Sequence, residues 1–154
     1  MAAEFQAGMR TLVIGLEADM LVKAKSALLQ VGLIVERQAK RNASSGAHRY
    51  GTKTPAFRGS GPARISGTLV RSISHTQVKM IGRDLEMKVG MGTGFFPPYG
   101  KSRTASSKYA YYLETGLRGG ATYPFLNPAF KFATGFPADA IYKAKLGTGW
   151  KTYV

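Results

Sequence analysis

The stretch from Tyr109 to Phe130, YAYYLETGLRGGATYPFLNPAF, constrains this chain more than any other, because aromatics, one carboxylate, a glycine stop and two prolines crowd into it. Tyr109, Ala110, Tyr112 and Leu113 recur at spacings that share one helical face, and Gly116 follows as a residue able to take positive φ. A short helix over 109–115 is expected. Beyond the Arg118-Gly119-Gly120 link, Asn127 stands where an N-cap belongs and Pro128 where a first helical residue needs no N–H. Phe130 and Phe132 then fall inside a second helix. Glu114, the one acid among these aromatics, is expected to pair with Arg118 across the glycine turn, a structural use rather than a catalytic one.

A chain of 154 residues with 44% apolar content predicts a single folded domain with a modest core and long loops. Cysteine is absent, so neither a disulfide framework nor a thiolate metal site is expected. Two histidines, His48 and His75, are too few for a His-rich metal site. No run approaches the roughly 18 consecutive apolar residues of a membrane span, and MAAEFQAGMR lacks the order of a signal peptide, which predicts a cytosolic chain when made. The strongest compositional signal is charge: 22 basic against 8 acidic residues, a net +14. Such a balance calls for acidic partners, whether nucleic acid, an anionic surface or an acidic protein. In a ring of identical subunits it is self-repulsive unless neighbours supply carboxylates.

From Thr11 to Asn42 the chain reads as a long helix or a broken pair, with Leu16, Met20, Ala24, Ala27, Leu28, Val31, Ile34 and Val35 in one apolar band. Gly15 and Gly32 argue against an unbroken helix, and Arg37, Lys40 and Arg41 suit a helix C-terminus. The plain reading is a core helix; the functional one packs part of it on a neighbouring subunit. Ile65, Leu69 and Ile73, four apart, predict a short helix with Arg71 facing away. Val78 and Met80, then Gly82-Arg83-Asp84, then Leu85, Met87 and Val89 predict a β-hairpin buried on one face at the centre of an antiparallel sheet. A last helix of about ten residues is expected after Pro137, ending at Gly147, followed by a tail carrying Trp150 and Tyr153.

Two loops separate these elements. Residues 43–64 hold four glycines and two prolines with Arg49, Lys53, Arg58 and Arg64 and no acid, and their aromatics, Tyr50 and Phe57, are too few for a core. The loop is either solvated or an arm that orders against another subunit, a neighbouring ring or DNA phosphates. Residues 90–108 carry Phe95, Phe96, Pro97, Pro98 and Tyr99 between glycines, then Lys101, Arg103 and Lys108. Their glycines lack the G-x-G-x-x-G spacing, and Gly100-Lys101-Ser102 lacks the glycine five residues earlier, where Phe95 stands, so neither phosphate-binding pattern holds. An exposed aromatic run of this kind is read as contacting another surface. Trp150 either folds back on the domain or anchors on a neighbour.

No nucleophile with a base, metal cluster or acid pair suggests an enzyme, and no cofactor site is expected. Glu17 and Asp19 lie on an early helix without a partner motif, while Asp84 and Glu86 share the solvent face of a strand. A nucleic-acid-binding module is the competing class, since tyrosines stand near lysines and arginines over 102–112, although their helical spacing points first to packing.

The order ERQAKRNA, SGTLVRSI, KVGMG, YAYYLETG, YPFLNPAF resembles the small neck or tail-component proteins of long-tailed phages, over roughly Val31 to Phe132. Leu69 with Ile73, Tyr109 and Tyr112 with Glu114 and Gly116, and Pro124, Phe125 and Pro128 carry the match. The chain departs from the usual pattern in the basic insertion after Asn42 and in the segment after Gly92. The elements above predict an α+β subunit, a long N-terminal helix and short helices packed on a small antiparallel sheet, assembled into a closed ring; the resemblance implies that the ring is six-fold. It implies a place at the head–tail junction, between capsid connector and tail, in the virion and in host cytoplasm during assembly. Duplex DNA would pass through without being read, and the expected partners are head-closure or connector proteins and a tail terminator or tail tube, with no membrane. A tail terminator capping the tube is the alternative role. The basic side chains of residues 43–64 are expected to face protein rather than the channel.

Overall fold

The computed structural model describes residues 2–46, 59–62, 64, 67–82, 84–91, 106–116 and 120–147, with backbone only for 2–17 and 106–109. The architecture is α+β, built on one continuous helix, α1 (Ala2–Asn42), of 41 residues, or about 61 Å. Gly32 does not break it. A Cβ there would run into the end of the Met87 side chain, so the glycine is where the hairpin leans on the helix backbone.

The buried stripe of α1 is Ala27, Val31, Val35 and Ala39, continued by Ala43 just past the helix end, each four residues from the next. It differs from the expected band, because Met20 is 41% exposed while Ala39 and Ala43 are almost fully buried. Small side chains let other helices come close. Against this stripe lie α4 (Leu126–Thr134) and α5 (Phe136–Leu146), which bury Ala129, Ala133 and Ala138 in turn. At one end Asn42 Nδ2 donates to the Phe125 carbonyl at 3.0 Å, and at the other Lys145 Nζ donates to Ser26 Oγ at 3.2 Å. The two short helices therefore run back antiparallel along α1. The core joins Ala39 and Ala43 to Ile73, Ala110, Leu113, Tyr123, Phe125 and Ala129.

The region around Ile73 corrects two expectations. The helix there is α2 (Thr68–Ser72), and Ile73 opens a strand, β1 (Ile73–His75), instead of closing the helix. Its β-branched side chain sits in the core, and the segment pairs antiparallel with β4 (Val89–Met91). Farther out, β2 (Lys79–Ile81) pairs with β3 (Asp84–Glu86). Residues 73–82 and 84–91 thus form the arms of one long hairpin, with Ile81 paired to Asp84 and Gly82 at φ +63° where the chain reverses. The register steps by one between the ladders. Thr76 pairs with Lys88 and Lys79 with Glu86, so Gln77 and Val78 together oppose Met87, which is a β-bulge. Val78 falls in this bulge rather than in a strand. Each sheet has two strands among the described residues, so the hairpin is not the centre of a larger one, and its outer half is not buried: Met80 is 50% and Ile81 55% exposed.

The two ends of the 43–64 insertion are tied to each other, and its far end is tied to the body. Gly46 N–H donates to the Pro62 carbonyl at 3.4 Å, and Gly59 N–H to the Thr122 carbonyl at 2.9 Å. The chain returns so close to the end of α1 that a Cβ on Gly61 would fall on the Asn42 carbonyl oxygen and the Ser45 hydroxyl.

Candidate interaction groove

Between the hairpin and α4, floored by α1, lies a groove of about 320 Å³. Val35 comes from the buried stripe of α1, Met87 and Val89 from the hairpin, and Leu126 and Phe130 from α4. Two polar side chains, Glu114 and Asn127, interrupt this apolar lining. Glu114 belongs to α3 (Ser106–Thr115), which ends as expected at Gly116, with φ +127° and its N–H on the Tyr112 carbonyl at 2.9 Å.

Glu114 holds the start of α4. Its Oε1 accepts the Phe125 N–H at 2.8 Å and also the Leu126 N–H. The first N–H groups of a helix have no intrahelical acceptor, and a carboxylate there also meets the positive end of the helix dipole. Phe125 occupies the N-cap position, so the expected roles of Asn127 and Pro128 move two residues into the helix. Pro128 still falls among the positions whose N–H has no helical partner. The expected Glu114–Arg118 pair lies outside the described residues. Among the described residues no cation forms an ion pair with Glu114.

A second polar cluster joins the hairpin to α1. The Glu36 carboxylate bridges Lys40, one turn on, and His75 of β1. Burial by itself would raise the Glu36 pKa, but hydrogen bonds and charge from Lys40 and His75 outweigh it and hold the group below its ordinary 4.5. Sequence spacing reveals the Lys40 half of this cluster; His75, 39 residues away, leaves no signal.

Of the residues expected to make contacts, Arg49, Tyr50, Lys53, Phe57, Arg58, Phe95, Phe96, Tyr99, Lys101, Arg103 and Trp150 lie outside the described residues. Arg64 is exposed, with its guanidinium against Gly67. Leu69 packs half-buried on the core, Phe125 is fully buried, Pro124 is half-buried and Pro128 exposed. Tyr109 lies in α3 with only its backbone described. Tyr112 does not share the core face of α3: Ala110 and Leu113 fill that face, while Tyr112 is 42% and Tyr111 64% exposed, their rings edge-to-face at 5.9 Å. The groove-lining Met87 and Phe130 were not singled out by sequence as contact residues. Among the described residues no three His, Asp or Glu side chains cluster as metal ligands, and no helix is long and apolar enough to cross a membrane.

No protein-family model, curated protein or solved structure matches this chain.

Proposed function

We propose that this chain is a structural subunit whose work is contact: it assembles with copies of itself into a closed ring at the head–tail junction of a long-tailed phage. There it joins the capsid connector to the tail and surrounds the DNA channel. The observation that carries the reading is the amount of apolar side chain left on the surface around the groove and along the outer helices. Leu29 and Leu33 on α1, Met80 and Ile81 on the hairpin, and Phe130, Phe132 and Phe136 on α4 and α5 are all more than a third exposed, Phe136 at 84%. Patches of this kind mark sites that associate. A ring built from one subunit uses two different patches per copy, which suits a molecule with a groove on one side and projecting apolar groups elsewhere. The motif order described above supplies the phage context, and a tail terminator capping the tube remains the alternative role.

A nucleic-acid-binding module is the second reading, favoured by the exposed Tyr111 and Tyr112 on a chain of net charge +14. Light-scattering mass across a salt series, with and without duplex DNA, separates the two. A ring indifferent to DNA is the expected result. A monomer that gains mass only with DNA, and loses it steeply with salt, would overturn the ring in favour of phosphate binding.

A further inference from the structure

We infer that the groove between the hairpin and α4 receives a lysine or arginine side chain from a second copy of this chain; the inference rests on the ring reading and names one of its contacts. The groove has apolar walls, Val35, Met87, Val89, Leu126 and Phe130, and a single ionisable group, Glu114. A long basic side chain has the matching form, a hydrocarbon stem that buries against apolar surface and a cationic head that seeks a carboxylate. Phe130, half-exposed and part of the lining, adds an aromatic ring beside which such a cation is favoured.

Charge selects the occupant. A carboxylate in an apolar groove repels phosphate, so nucleic acid and other anionic partners are disfavoured there. Among the described residues Glu114 has no cationic partner, whereas Glu36, Asp19 and Glu86 each pair with one within the chain. Each copy carries 22 lysines and arginines against 8 acids, so a copy of the chain is itself a cation-rich partner. Glu114 already accepts two N–H groups from the start of α4, and the helix dipole offsets part of its charge, so one further cation completes the site. Such a contact is heterologous, groove on one subunit and basic side chain on the next, the geometry that closes rings. It also lowers the self-repulsion of a +14 chain at the place where copies meet.

The test measures assembly by sedimentation and light scattering on the full chain, the wild type beside Glu114→Gln and Phe130→Lys. The first removes the charge while leaving an amide oxygen for the α4 N–H groups; the second puts a like charge on the groove wall. Circular dichroism checks that both are folded. The expected result is that the concentration for half-assembly rises by about tenfold or more in each variant. In the wild type, agmatine, a guanidinium on a four-carbon stem, is expected to dissociate the assembly at concentrations where sodium chloride of equal ionic strength does not. Folded variants that assemble like the wild type, or agmatine acting no better than salt, would overturn the groove contact and leave the ring standing. A wild type that stays monomeric at every concentration would overturn both, and the mass alone reports which has failed. The agmatine arm needs no variant, so it decides even if Phe130→Lys does not fold.

Discussion

Glu114 shows how one side chain sets the position of a whole helix. Its carboxylate accepts the Phe125 and Leu126 N–H groups at the start of α4, so Glu114→Ala takes the acceptor from both donors and is expected to lower stability by about 1–3 kcal/mol, measured by urea unfolding. Glu114→Gln keeps an acceptor oxygen and is expected to lose less. Gly61 is set by steric exclusion, since any Cβ meets the backbone at the end of α1. Gly61→Ala is therefore expected to cost about 1–3 kcal/mol and to lower the melting temperature. The same change at Gly32 meets only the flexible end of Met87, which can swing aside. Glu36 makes stability depend on pH. Its folded pKa lies below the unfolded value, so its contribution is complete above about pH 4.5 and is lost as pH falls through the lower folded value. A thermal melt series from pH 7 downward is expected to show an acid-side drop that is smaller in Glu36→Gln.

Among the elements, the hairpin carries the largest difference from its sequence pattern. The alternation of Leu85, Met87 and Val89 marks a strand with one apolar face; Leu85 lies in β3 and Val89 in β4, with Met87 between the two strands opposite the bulge. The pattern does not reveal that the bulge at Gln77 and Val78 divides the hairpin into an inner half anchored by Ile73 and an outer half standing in solvent. Met80 and Ile81 contribute little packing within the subunit. The double change Met80→Lys with Ile81→Thr is accordingly expected to alter unfolding free energy by no more than about 0.5 kcal/mol. If the hairpin tip touches a neighbour, the same change weakens assembly at constant stability; a large drop in melting temperature would instead show that the tip packs within its own chain. The helices α4 and α5 show the opposite arrangement. Ala129, Ala133 and Ala138 are buried towards α1 while Phe130, Phe132 and Phe136 face outward, because close helix approach on small residues leaves no room for rings in the seam.

For the whole molecule, a net charge of +14 works against bringing copies together, and salt screens that repulsion, with a Debye length falling from about 30 Å at 0.01 M to about 8 Å at 0.15 M. Assembly of the wild type is therefore expected to strengthen over that range before the groove ion pair is itself screened; steady weakening from the lowest salt would point to interfaces dominated by opposite charge. The sequence by itself determined the helical character of α1, the helix stop at Gly116, the final helix after Pro137, the hairpin turn at Gly82 and the α+β class. Those features follow from apolar period, backbone freedom at glycine and the missing N–H of proline, all of which act over a few neighbouring residues. Only the tertiary structure decided that Ile73 is strand rather than helix, that Tyr112 faces out, and that the core stripe of α1 runs through Ala39 and on to Ala43 just past the helix end. It alone joined Glu36 to His75, Asn42 to Phe125 and Glu114 to the start of α4. The partners in these contacts are 39, 83 and 11 residues apart, and a hydrogen bond or a buried methyl group over such distances leaves no period in the chain for local spacing to reveal.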